Sequence, residues 1–157
     1  MSQKINPTSI RTGIIRDWTA RWVPRHFKFG ASLREDYIIR GAIQKKIAIA
    51  GIDSIVIERS AGTCRITIKT AKPGLIIGRG GKGIEELHAY VKDALQKYRT
   101  RAGIKETTGI AISIEEIKRY EISSQVTAQQ IAWDLEKRMP YRRTIKKYLE
   151  RCVGRKN

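Results

Sequence analysis

Cysteine, histidine and acidic residues are scarce in this sequence, and each scarcity removes a class of function. Its two cysteines, Cys64 and Cys152, stand far apart in apolar patterns. They provide neither a disulfide framework nor a metal motif. Both are expected to be small core residues of a protein in a reducing cytosol. The two histidines, His26 and His88, have no obvious partners in the pattern. His88 falls mid-helix beside the apolar Leu87, which suits a boundary position better than a catalytic one. No paired carboxylates, metal cluster or nucleophile–base set stands out. No catalytic residue, metal, cofactor or small-molecule substrate is therefore expected. Long apolar runs are missing too. A membrane-spanning helix needs about 18 such residues, and the opening MSQKINPTSI lacks the apolar core of a signal peptide. No internal repeat or low-complexity segment is visible.

Positive charge is abundant. Lys and Arg number 32 against 15 Asp and Glu in 157 residues, a formal net charge of +17. Such a chain repels itself and attracts polyanions. With no membrane segment, nucleic acid is the expected polyanion, and charge is its first footprint. The first thirty residues read as an extended basic arm with little core of its own. They carry Lys4, Arg11, Arg16, Arg21, Arg25 and Lys28 against Asp17, with Pro7, Gly13, Pro24 and Gly30. Trp18 and Trp22, four apart, could share one face of a short helical turn. Stacking on RNA bases is one role open to them. Packing under the domain is the commoner role for aromatics.

A helix is predicted after Gly30. Ser32 and Glu35 form a capping-box pattern. Ile39, Ala42, Ile43, Ile47 and Ala50 follow at helical spacing, and Gly51 is positioned to end the helix. The stretches IDSIVIER and TCRITIKT read as strands of an antiparallel hairpin turned by SAG. Cys64, Ile66 and Ile68 share one face of the second strand, and Arg65, Thr67 and Lys69 the other. Pro73 and Gly74 end that strand. After a glycine-rich loop comes a helix striped by Ile84, Leu87, Val91, Ala94, Leu95 and Tyr98. RTRAGIKETTG reads as a mobile loop and IAISIEEI as a third strand. Two helices close the chain. The first is capped by Ser124 and striped by Ala128, Ile131, Ala132, Leu135 and Met139. The second starts at Pro140, with Tyr141, Ile145, Tyr148, Leu149 and Cys152 on its apolar side. The fold class is α+β, a three-stranded sheet with helices on one face.

The glycine loop, LIIGRGGKGI, admits three phosphate-binding grammars. As a P-loop, Gly81-Lys82 would supply the G-K pair. Ile76 would then occupy the first glycine position and Gly83 the magnesium-binding hydroxyl position, so the motif fails. The dinucleotide fingerprint matches at Gly78, Gly80 and Gly83. However, Pro73-Gly74 interrupts the strand that should lead into the turn, and the ribose-binding acid about 20 residues on is missing. The third grammar is I-G-x-x-G-x-x-I: Ile77, Gly78, Arg79, Gly80, Gly81, Lys82, Gly83, Ile84. It resembles the KH domain, whose G-x-x-G loop joins two helices and clamps a backbone of about four nucleotides. Glycines let the backbone approach phosphates, cations add charge, and the two isoleucines are expected to anchor the helices in the core. Two strands before the loop and one after resemble the type II form.

The resemblance extends along the chain. SQKINPTSIRTGII, DWTARW, IVIERSAGTCRITIKTAKPGLIIGRGGKGIEEL and LEKRMPYRRTIKK resemble, in order, segments of the bacterial small-subunit ribosomal protein S-three family. Departures are Ser2 for a usual glycine, Gly80 for a common lysine, and a longer loop around 99–109. The family implies three parts: an rRNA-binding arm over 1–30, a type II KH domain over 31–120, and from 121–157 the start of a second α/β domain that stops at CVGRKN. It implies a structural constituent of the small-subunit head rather than an enzyme, in bacterial cytoplasm or an organelle of bacterial descent. The implied partners are small-subunit rRNA of the 16S type, messenger RNA and neighbouring head proteins. In the family, the basic helix after the proline faces incoming messenger RNA and aids its unwinding. The matching residues are Arg142, Arg143 and Lys146. From spacing alone these form a cationic patch that fits a solvated face equally well. The arm contacts implied are Lys4, Arg11 and Arg16. A free-standing KH regulator shares the loop without needing the arm or the last helices, and sedimentation with small subunits separates the two readings. A nucleotide-binding oxidoreductase or a nuclease finds no supporting residues.

Overall fold

Strand-forming Ile and Val alternate with polar residues in two adjacent stretches, and these become the centre of a sheet. The computed structural model describes residues 3–23, 29–60, 62–104, 108–118 and 123–154. Within them, α1 (Pro7–Arg11), β1 (Ala20–Arg21) and α2 (Phe29–Ile47) precede the hairpin of β2 (Ile52–Ser60) and β3 (Thr63–Thr70). Then come α3 (Pro73–Ile77), α4 (Lys82–Ala102), β4 (Gly109–Glu116), α5 (Ser124–Glu136) and α6 (Tyr141–Gly154). The sheet order is β1-β2-β3-β4. β2 and β3 are antiparallel, with Ile57 opposite Ile66, while β4 runs parallel to β3. A parallel partner needs a crossover, and α3 with α4 supplies it. From α2 to β4 the order is helix, two strands, two helices, strand, as expected of the type II form. The sheet gains a fourth strand that was not expected: the arm adds β1, parallel to β2.

The alternation decides the core. Ile55, Ile57, Cys64, Ile66 and Ile68 are buried beneath Ile39, Ala42 and Ile43 of α2 and Leu87, Val91 and Leu95 of α4. Each buried Ile, Leu or Val among them contributes about 1.5–3 kcal/mol. Cys64 is therefore a core residue as expected, and burial pushes its thiol pKa up. Cys152 is only half-buried.

Several local expectations change. The first residues are not simply extended. Asn6 caps α1 by accepting from the Thr8 N–H, and Pro7 stands where a helix needs no donor. Trp18 and Trp22 do not share a helical turn, because residues 20–21 are strand. α2 is already helical at Phe29, so Ser32 and Glu35 are interior and form no capping box. α2 itself ends at Ile47, and Gly51, in the left-handed conformation, closes the short 3-10 turn Ala48–Ala50 that follows it. The segment 99–109 is partly helix: α4 runs on to Ala102, and Gly103 at φ 67° ends it. Residues 105–107 of that segment, Pro24, Arg25, His26 and Lys28 of the arm, and the boundary drawn at 120/121 lie outside the described residues. Ser123, not Ser124, caps α5 by accepting from the Val126 N–H.

The last two helices are held differently from the expected stripes. Val126 is the buried residue of α5, packed near Gly51 and Ala71. Ala128 and Ala132 are exposed, and Leu135 and Met139 are largely so. On α6 the buried residues are Thr144 and Tyr148, while Tyr141, Ile145 and Leu149 face outward. Tyr148 donates to Asp134 at 3.0 Å, joining α6 to α5.

Candidate nucleic-acid interface

The chain turns between α3 and α4 in four residues, 78–81, and three of them are glycines with positive φ. Gly78 sits at φ 69°, ψ −178°, a region essentially closed to side-chain-bearing residues. Gly80 and Gly81 follow at φ 65° and 81°. The two flanks of the loop differ. A Cβ on Gly83 would lie 2.3 Å from the Ile76 carbonyl oxygen, and one on Gly78 would lie 3.1 Å from the Gly83 nitrogen. Here the two helices touch backbone to backbone. On the other flank, a Cβ on Gly80 or Gly81 would meet nothing within 4 Å. The loop is thus pinched shut behind and open in front.

The open side is suited to an anion. It lies at the N-terminus of α4, whose first N–H groups and dipole favour negative charge. Arg79 and Lys82 flank it, both exposed. Among the described residues no carboxylate pairs with either. One expectation fails: Ile77 is 38% exposed, and it is Ile76, 2% exposed, that anchors α3 in the core. Ile84 is half-buried.

The arm residues Lys4, Arg11 and Arg16 are all exposed. A tight turn presents the last two. Arg11 Nη1 donates to the Pro7 carbonyl at 2.8 Å, and the Gly13 N–H to the Arg16 carbonyl at 2.8 Å. The patch Arg142, Arg143 and Lys146 is fully on the outer side of α6. The Arg142 guanidinium lies over the Tyr141 ring at 5.7 Å, and Lys146 has Glu150 one turn on at 3.9 Å. Loop, arm and patch stand on separate elements.

Other cations point inward. Arg59 continues the buried face of β2 after Ile55 and Ile57, and it meets the buried carboxylates Glu35 and Asp36 at 2.8 and 2.9 Å. Arg99 from α4 reaches Glu35 at 2.6 Å and Thr108 at 2.9 Å. Trp22 donates its indole N–H to Asp36 at 2.8 Å, with Arg59 over its ring. Burial alone would raise the Glu35 pKa, but hydrogen bonds and charge from Arg99 and Arg59 outweigh it and hold the carboxyl below its ordinary value. Burial likewise works against the charged Arg59, yet Glu35 and Asp36 raise its pKa. Sequence reasoning missed this network. The available signal was the alternation Ile55-x-Ile57-x-Arg59, which puts a cation on a buried face and demands an acidic partner. His88 also has a partner, the Ile110 carbonyl at 3.1 Å. It borders a cavity of about 730 Å³ that Lys92, Gln96, Arg99 and Thr108 help to line.

A glycine loop between two helices, backed by a mixed sheet and open on its cationic side, is the KH arrangement, and the KH domain family model matches residues 38–122. The chain belongs to the KH domain family. Over 153 residues, 98% of its length, it is also 41% identical to small ribosomal subunit protein uS3 of Finegoldia magna, covering 58% of that protein. The same-named proteins of Clostridium perfringens and Clostridium botulinum are 40% and 41% identical, with 64% of each covered. The chain therefore spans less than two thirds of the length of these curated relatives. Among the described residues no helix is long and apolar enough to cross a membrane.

Proposed function

We propose that the chain is an RNA-binding, non-enzymatic structural constituent of the small subunit of a bacterial-type ribosome. The observation that carries this is collinear similarity to small ribosomal subunit protein uS3 along 98% of the chain, arm and last helices included. A free-standing RNA regulator with a KH domain would have no need of the arm or those helices. In this reading Gly78–Lys82 grips an RNA backbone, and Lys4, Arg11 and Arg16 hold small-subunit rRNA. The protein sits on the subunit head among neighbouring head proteins, in bacterial cytoplasm or an organelle of bacterial descent. Residues 121–157 begin a second domain. Arg142, Arg143 and Lys146 line the channel through which messenger RNA enters, and their charge stabilises each strand as a structured message separates.

Sedimentation tests the assignment. A tagged form should travel with small ribosomal subunits and resist a moderate salt wash. Recovery only in light fractions with scattered RNAs would favour the regulator. The double variant Arg79→Asp, Gly80→Asp tests the loop. It should fold, bind RNA less tightly and show a shallower salt dependence, because fewer counterions are released. Unchanged RNA affinity would remove the loop from the interface.

A further inference from the structure

The segment DWTARW places two tryptophans four residues apart, and the fold treats them in opposite ways. Trp22 is tied down at its N–H by Asp36 and on its face by Arg59 and Phe29. Trp18 is 59% exposed. Its backbone is nevertheless held on both sides. Its own N–H donates to Asp17 Oδ1 at 2.9 Å, and Asp17 is ion-paired with Arg21. The next carbonyl, of Thr19, accepts from the Ile57 N–H at 3.0 Å and from Arg40 Nη2 at 2.7 Å. Ala20 and Arg21 then pair with β2. An indole is thus presented to solvent from a fixed backbone, two residues after the exposed Arg16.

We propose that Trp18 is a second RNA contact, an aromatic platform on which an unpaired nucleobase stacks, separate from the glycine loop. The proposal rests on the RNA-binding reading above. A rigid indole loses little freedom on stacking, and every base offers a π-face. Stacking on unpaired bases is the usual way proteins hold single-stranded RNA. The backbone ties to Asp17, Ile57 and Arg40 supply the fixed position that a merely solvent-exposed tryptophan would lack.

The test uses the full chain, a single-stranded oligoadenylate and a fully paired RNA duplex, with affinities measured across a salt series. Trp18→Ala should weaken oligoadenylate binding about tenfold, equivalent to about 1.4 kcal/mol, and leave duplex binding within about twofold. The salt slope should stay unchanged, because no phosphate contact is lost. Trp18→Phe should recover most of the affinity. The side chain is exposed, so thermal stability should match the parent protein. Unchanged oligoadenylate affinity in Trp18→Ala overturns the proposal and leaves the RNA-binding reading intact. So does an equal loss on duplex and single strand. Unchanged RNA affinity combined with failure to join small subunits would reassign Trp18 to a protein contact and equally overturn it. If the parent chain binds neither RNA, both readings fall together.

Discussion

Replacing Gly83 with alanine adds one methyl group, and the structure says where it lands. Its carbon would lie 2.3 Å from the Ile76 carbonyl oxygen and 3.0 Å from that of Ile77. Ordinary contact begins near 3.4 Å, and both obstacles are main-chain atoms that cannot swing away. The end of α3 must move off α4 by about an ångström. Overpacking of this kind costs about 1–3 kcal/mol, and a backbone obstacle places it at the upper end. Alanine returns about 1 kcal/mol through its better helix propensity. The net loss is about 2 kcal/mol, or about 4–8 °C in Tm for a chain of this size. Gly80→Ala is the control. Its methyl meets nothing, but φ 65° is left-handed. That conformation costs an L-residue about 1–2 kcal/mol. Thermal melts followed by circular dichroism should rank the parent protein first, Gly80→Ala second and Gly83→Ala last. A Gly83→Ala melt at or above the parent's would refute the pinched geometry.

Arg59→Met leaves Asp36 and Glu35 buried with fewer partners and should cost about 3–5 kcal/mol in urea unfolding, whereas Arg65→Met on the open sheet face should cost little. The Glu35 carboxyl is held below its ordinary value of 4.5. Its contribution is therefore present above that pH and lost as pH falls through the lower folded-state value. Glu35→Gln should flatten that part of the acid limb in melts run from about pH 6 to about pH 2; an unaltered limb would assign the acid sensitivity elsewhere. Residues 123–154 bury only Val126, Thr144 and Tyr148, so their amides should exchange faster than those of residues 32–117, and equal protection would contradict this. Alanines at Arg142, Arg143 and Lys146 should leave helicity unchanged. In ribosomes carrying the variant they should slow only messages with a downstream hairpin. Uniform slowing on all messages would point to general RNA binding.

What was legible in the sequence follows from how local each cause is. The strand hairpin, the stripe of α4 and the glycine loop were legible because alternation, helical spacing and left-handed turns each depend on residues a few positions apart. Gly80 and Gly81 are glycines for reasons confined to their own φ angles. Gly83 is glycine because Ile76, seven residues earlier, returns to touch it, and nothing in the local pattern announces that. The stripes of α5 and α6 are not buried as their spacing suggests, for a related reason. Ala128, Ala132 and Leu135 are spaced for burial, but burial needs a covering surface. The described residues bring Val126 against Gly51 instead. Ser32-x-x-Glu35 satisfied a capping pattern on paper, yet Glu35 was already committed to Arg59 and Arg99 across the fold.

The same distinction applies to the charge. A net +17 says that cations outnumber anions, not which of them face a ligand. Arg59 and Arg99 are spent on buried carboxylates, and Arg40 on the Thr19 and Ile55 carbonyls. These three fasten the arm, α2, β2 and α4 to one another. The consequence is that the arm is docked through residues 19–22, and its earlier cations stay exposed. Residues 19–22 join the sheet and the acidic network, while the side chains of Lys4, Arg11 and Arg16 stay exposed. A basic arm with no docked end would lose more conformational freedom on every contact it made with RNA. Fixing residues 19–22 within the folded domain shortens the segment that remains to be ordered, so more of each arm contact's energy is left for affinity. The inward arginines would then support RNA binding without touching RNA, which is why Arg59→Met should weaken the arm's contribution even at sites where the loop remains intact.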